Sequence, residues 1–161
     1  DIDKKMVREI IKVSWEEFEK LTEILIKKIE GKKFDYLLCI GSGGLILGKI
    51  ISDRTSTPMS VILAESYKKG EQENLSKVHL SKIASVNKIY GKILIVDDLA
   101  DSGNTLKKVL EIVYEEKEIT SKKIAVIFAK PWSIIKPDFF AEKTKNWIIF
   151  PYEKKEFKEI L

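Results

Sequence analysis

The sequence predicts an α/β fold built on an open, mostly parallel sheet flanked by helices. Three apolar runs of strand length, at 34–40, 93–96 and 124–129, are nearly continuous rather than alternating. Such runs suit strands buried on both faces of a parallel sheet. Helix-period segments lie between them, and strands alternating with helices are the pattern of a sheet covered on both sides. In chain order, Ser14-Trp15-Glu16-Glu17 has the form of a capping box and Gly31 closes the helix it starts. The run 34–40 is the first sheet strand. A helix follows over 45–54 and ends before Pro58, and a weaker strand occupies 59–64. Residues 65–82 are long, polar and aperiodic, which predicts a functional lid or a disordered segment rather than an ordinary connection. After the strand at 93–96, a helix over 105–117 places Leu106, Val109, Leu110 and Val113 on one face. The strand at 124–129, a short strand at 147–150 and a charged terminal helix complete the chain.

At 161 residues the chain fits a single domain, 1–161. Its 44% apolar and 34% charged residues supply a core and exclude wholesale disorder. No apolar run approaches the ~18 residues of a membrane span, and charges scattered through residues 1–30 do not fit a secretion signal. The single cysteine, Cys39, lies within an apolar run, which excludes a disulfide framework and suits a reducing, cytoplasmic setting. The net charge of +4 comes from 29 basic and 25 acidic residues that alternate along the whole length. Without a basic tract or face signal, nucleic acid is not an expected partner, and neither is a membrane. A small phosphorylated ligand remains compatible.

Ligands of open α/β sheets bind beyond the carboxyl ends of the strands, and three such ends are unusual here. The first is Gly41-Ser42-Gly43-Gly44, whose backbone amides and following helix could receive an anion. It imitates two known fingerprints and completes neither. Ile46 stands where a dinucleotide motif needs its third glycine, and Ile50 where a P-loop needs Ser or Thr. The second end is Val96-Asp97-Asp98-Leu99-Ala100-Asp101-Ser102-Gly103-Asn104-Thr105-Leu106. Adjacent carboxylates closing a buried strand are costly without partners, and sugar hydroxyls or a hydrated metal ion would supply them. The turn that follows offers amides, hydroxyls and a helix N-terminus suited to a phosphate monoester. Together these features describe a site for a ribose 5-phosphate. The competing reading is a helix capped by Asp101 or Ser102 behind surface acids. The third end, Phe128-Ala129-Lys130-Pro131, sets a lysine at the close of a buried strand, a weak signal alone.

The second of these segments resembles the phosphoribosyl pyrophosphate (PRPP) signature of type I phosphoribosyltransferases. Ser66-Tyr67 is similar to the pair that opens the mobile lid of purine-salvage members. Phe128-Ala129-Lys130-Pro131 and Trp147-Ile148-Ile149-Phe150-Pro151-Tyr152-Glu153 resemble base-recognition segments of the short xanthine-guanine and hypoxanthine enzymes. The resemblance runs from about residue 34 to 153. It implies the type I phosphoribosyltransferase fold, with a small hood built from the terminal segments, a lid at 65–82 and a base-recognition hood segment at 131–161. It further implies a Mg²⁺-dependent purine-salvage transferase acting on PRPP and a 6-oxopurine, assembled as a homodimer or homotetramer. By the same resemblance, Asp97 and Asp98 hold the ribose hydroxyls and engage the metal, while Asp101 assists the purine at N7. Asp101, Ser102, Gly103, Asn104 and Thr105 surround the 5-phosphate, and Ser42, Gly43 and Gly44 face the pyrophosphate. Lys130 donates to the 6-oxo group, Trp147 stacks on the base, and the Ile148 backbone reads its 2-position edge.

One departure stands out. Related xanthine-guanine enzymes often carry an arginine where this chain has Ser42, so a cationic pyrophosphate contact is missing here unless Lys68, Lys69 or Lys77 in the lid or a neighbouring subunit supplies it. The alternatives to the leading expectation are a PRPP- or nucleotide-sensing regulator on the same fold, or transfer to another base such as adenine.

Overall fold

In a computed structural model, residues 9–67 and 77–153 are described. The elements are β1 (Ile10–Lys12), α1 (Trp15–Ile29), β2 (Tyr36–Gly41), α2 (Leu45–Thr55), β3 (Met59–Tyr67) and β4 (Lys77–Leu80). They continue with β5 (Gly91–Val96), β6 (Leu99–Ala100), α3 (Asn104–Glu115), β7 (Ile119–Ala129), β8 (Phe139–Lys143) and β9 (Trp147–Ile149). The main sheet runs β4-β3-β2-β5-β7, with β6 and β8 also paired to β7, and every pairing is parallel except β3–β4. A separate two-stranded parallel sheet joins β1 to β9, so both ends of the described chain build the small hood.

The continuous apolar runs work as expected. Along β2, Leu37 and Cys39 enter one core cluster while Leu38 and Ile40 enter the other. The first cluster is closed by α1 and α2 through Phe18, Leu25, Leu47 and Ile51, the second by Leu106, Val109 and Val113 of α3. Each fully buried aliphatic side chain contributes about 1.5–3 kcal/mol, which makes these strands the rigid base of the molecule. Ser14 caps α1 by accepting the Glu17 N–H at 3.1 Å, and Gly31 beyond its end takes φ +81°.

Four features differ from expectation. The segment 65–82 is not aperiodic throughout: β3 extends to Tyr67 and pairs with β4, so both described ends of the segment are strands. Ser66 and Tyr67 therefore pair opposite Val78 and Lys77 instead of opening a loop. β7 starts five residues before its apolar run, because its exposed first half pairs through the backbone. Within 131–161, residues 139–143 form β8 and join the main sheet at β7, which leaves only β9 to the hood among the described residues of that segment. The expected terminal helix, Lys68 and Lys69 lie outside the described residues.

Candidate active site

From β2 the chain turns through α2 to β3 on one side, and from β5 through α3 to β7 on the other. A crevice opens between strands whose connections diverge in this way. A cleft of about 580 Å³ lies there, lined by Ile40, Gly41, Ser42, Gly43, Ile46, Ala64, Asp97, Asp98, Thr105, Tyr152 and Glu153. It thus brings together Ser42, Gly43, Asp97, Asp98 and Thr105, taken from two strand ends and the start of α3.

The glycine loop fits because one of its members lacks a side chain at a crowded point. A Cβ on Gly44 would sit 2.5 Å from the Val96 carbonyl oxygen and 2.8 Å from that of Ile40. Gly44 instead donates its N–H to the Ile40 carbonyl at 2.8 Å, folding the loop back over the strand end. The peptide bond between Gly41 and Ser42 is cis.

Asp97 and Asp98 occupy a break between β5 and β6, across which the register with β7 is kept: Val96 faces Ala125 and Leu99 faces Phe128. The Asp97 N–H donates to the Ala125 carbonyl at 3.2 Å, and the Asp98 carbonyl accepts from both Ile127 and Phe128. The break leaves both carboxylates half-buried at the cleft floor. Asp97 Oδ1 accepts the Asp98 N–H at 2.8 Å, and Asp98 Oδ2 accepts the Tyr152 hydroxyl at 2.7 Å. Among the described residues, no ion pair joins either acid to a lysine or arginine. Burial, reinforced by the Asp98 charge, holds the Asp97 carboxyl well above the usual carboxylate range. Burial also raises Asp98, against the pull of the Tyr152 hydrogen bond. Burial and the facing Asp98 charge drive the Tyr152 phenol upward in turn.

The turn before α3 departs from the competing capped-helix reading. Gly103 is the N-cap, in the left-handed region at φ +86°, and contributes no side-chain cap. Ser102 Oγ accepts the Asn104 N–H at 3.2 Å, and its carbonyl accepts the Ile134 N–H. Asp101, Ser102 and Asn104 are exposed, and none of them is among the residues lining the cleft. Asp101 Oδ1 accepts the Trp132 indole N–H at 2.9 Å.

Lys130, Trp147 and Ile148 are not among the residues lining the cleft. Lys130 is buried, its ammonium donating to the Asn146 carbonyl and lying 5.3 Å from the Trp132 ring. Trp147 stands 58% exposed at the start of β9, beside the buried Ile148. Lys130 hydrogen-bonds through its backbone N–H to Ala100, one residue before Asp101, which ties this group to the same strand end. Among the described residues no three His, Cys, Asp or Glu side chains converge as a ready metal cage. Of the three lysines expected in the lid, Lys77 lies within the described residues and is exposed at the start of β4.

Two aromatic residues escaped sequence reasoning. Tyr152 reaches Asp98 across 54 residues of chain, and Trp132 reaches Asp101 across 31. No local pattern marks either contact, because each arises where separate segments meet in space. The position of Tyr152 within 147–153 was the nearest signal.

The family model for the phosphoribosyl transferase domain matches residues 8–156. The xanthine-guanine phosphoribosyltransferase of Idiomarina loihiensis is 28% identical over 145 residues, covering 88% of this chain and 85% of its own. Among solved structures, the purine phosphoribosyltransferase of Pyrococcus horikoshii aligns with a TM-score of 0.78 at 28% identity, over 90% of this chain and 95% of that one. The xanthine-guanine-hypoxanthine phosphoribosyltransferase of Helicobacter pylori aligns with a TM-score of 0.79 at 27% identity, over 93% and 99%.

Proposed function

Because the chain belongs to the type I phosphoribosyltransferase family, we propose that it transfers phosphoribosyl from PRPP to a 6-oxopurine, releasing pyrophosphate and forming a nucleoside 5'-monophosphate. The observation that carries this reading is one cleft uniting a glycine loop, a half-buried acid pair and the start of a helix. Purine-specific relatives that align over most of the chain favour purines among the bases.

The division of labour follows the charges. Asp97 and Asp98 accept the ribose hydroxyls and stabilise the positive charge that develops on the sugar as pyrophosphate departs. The amides of Ser42, Gly43 and Gly44 receive the pyrophosphate, and residues 101–105 hold the 5-phosphate at the α3 N-terminus. Asp101 faces the purine N7, a place where a carboxylate can take the proton lost on coupling. Lys130 donates to the 6-oxo group and Trp147 stacks on the ring, with the Ile148 backbone at the 2-position edge. Adenine offers an amino donor to the Lys130 ammonium, a mismatch costing roughly 1–3 kcal/mol, or about tenfold to hundredfold in rate. The β3–β4 arms, ending at Ser66 and Tyr67 on one side, carry a lid that excludes water from a hydrolysis-prone transition state.

The acid pair suits Mg²⁺, which binds through one or two carboxylates plus substrate phosphates and water rather than an all-protein cage. Two neighbouring carboxylates without a cationic partner among the described residues fit that demand. When bound, the ion would neutralise pyrophosphate charge.

The test is pyrophosphate release with Mg²⁺ and PRPP, offering guanine, hypoxanthine, xanthine and adenine separately. Release is expected with at least one 6-oxopurine and at least tenfold slower with adenine. Preferential release with adenine or another base would overturn the assignment of Lys130 and Trp147. PRPP binding without release for any base would make the chain a sensor.

A further inference from the structure

We propose that Tyr152 is a positioning residue for PRPP: it occupies one oxygen of Asp98 and aims the other at the ligand. The inference rests on the assignment of Asp98 to the ribose of PRPP.

A free aspartate carboxylate swings about its terminal torsion, whose energy is broad and roughly two-fold. Asp98 is held on two sides. The Tyr152 hydroxyl donates to its Oδ2 at 2.7 Å. The backbone of Gly43 packs so closely that a Cβ there would stand 2.7 Å from Oδ2 and 2.9 Å from Oδ1. The same hydroxyl lies 3.5 Å from the Gly43 carbonyl, so a single phenol sits where the glycine loop meets the acid pair.

The phenol is fixed from behind. Its ring stacks on Phe150, with centroids 5.3 Å apart and planes 4° from parallel. It meets Phe18 of α1 edge-on at 5.8 Å and Trp15 at 6.1 Å. An aromatic ring gripped on several sides has little freedom to follow a ligand, so its hydroxyl acts as a fixed point. Tyr152 and Glu153 both line the cleft, which puts the hydroxyl inside the volume that PRPP would share. Holding a carboxylate in its working orientation before binding removes an ordering cost that the ligand would otherwise meet.

The experiment is calorimetric titration of PRPP with Mg²⁺ into wild type, Tyr152→Phe, Tyr152→Leu and Asp98→Asn, with steady-state KM values for PRPP and base alongside. Phenylalanine keeps the ring and removes only the hydroxyl. Its loss leaves Asp98 free to swing until the ligand orders it, so Tyr152→Phe should weaken PRPP binding about tenfold. The KM for the base should stay near wild type, the urea unfolding midpoint should fall only by the loss of one hydrogen bond, and Asp98→Asn should bind PRPP weakly or not at all. Wild-type PRPP affinity in Tyr152→Phe, with weakened binding in Tyr152→Leu and Asp98→Asn, would reduce Tyr152 to a packing residue and overturn the inference alone. Tighter binding in Tyr152→Phe would mean that the hydroxyl competes with the ligand, which overturns it as well. Unchanged PRPP affinity in Asp98→Asn would remove the ribose assignment and this inference together.

Discussion

Asp97 carries the cost of the site in its own protonation. Burial and the neighbouring Asp98 raise its carboxyl well above the usual range, so the folded protein holds a proton that the unfolded chain releases near pH 4. Between those two values the native state binds more protons than the unfolded one. Stability of the ligand-free protein therefore falls as pH rises through that window. Asp97→Asn removes this slope while keeping an oxygen that can accept the Asp98 N–H. The variant should be more stable than wild type at pH 7, with the difference shrinking toward pH 4, as read from urea unfolding at several pH values. An equal or lower stability at pH 7 would show that the ionised acid is not strained there. The adjacency of these two acids at a strand end was plain in the sequence, since burial of neighbouring charges needs a reason. The clasp on Asp98 was not, because Tyr152 meets it only after the hood has folded over the sheet.

Elements with two buried faces were legible; those that lean on a neighbour were not. The runs at 34–40, 93–96 and 124–129 carry their own apolar signal and became β2, β5 and the inner half of β7. By contrast β1, β4 and β8 are exposed or half-buried along their length and are held by backbone pairing, which composition does not record. The start of α3 was read well because its chemistry is local. Gly103 needs its positive φ, and a Cβ there would also stand 2.8 Å from Ser133 Oγ and 2.9 Å from the Ile135 nitrogen. Gly103→Ala combines a left-handed penalty of about 1–2 kcal/mol with overpacking of about 1–3 kcal/mol. A loss of about 2–5 kcal/mol in urea unfolding is expected, together with weaker PRPP binding as the turn shifts. A loss below about 1 kcal/mol would mean that the turn relaxes freely.

At the scale of the whole molecule, the cleft is a product of chain routing. It opens where β2 and β5 lie side by side and their helices depart in opposite directions, so strand order alone predicts its place. The proposed lid and base-binding residues are different: the sequence carried them chiefly through resemblance to relatives, because they fall where the paired β3 and β4 strands and the terminal segments meet that frame. Lys130 illustrates the point: its position at the end of β7 was readable, but its bond to the Asn146 carbonyl depends on the segment that leads into the hood.

Of the chain's three tryptophans, two touch residues assigned to the site and the third is the one assigned to the base. Trp15 touches Tyr152, Trp132 is bonded to Asp101, and Trp147 is exposed at the hood strand. On the proposed roles of these residues, the protein consequently carries its own optical reporter. Titration with PRPP should alter emission through Trp15 and Trp132, and a purine should quench Trp147. Trp147→Phe should abolish the purine response and spare the PRPP response. Emission indifferent to both ligands at saturation would place binding away from this cleft. If the response holds, substrate arrival and product departure can be followed in real time by stopped-flow, without a label.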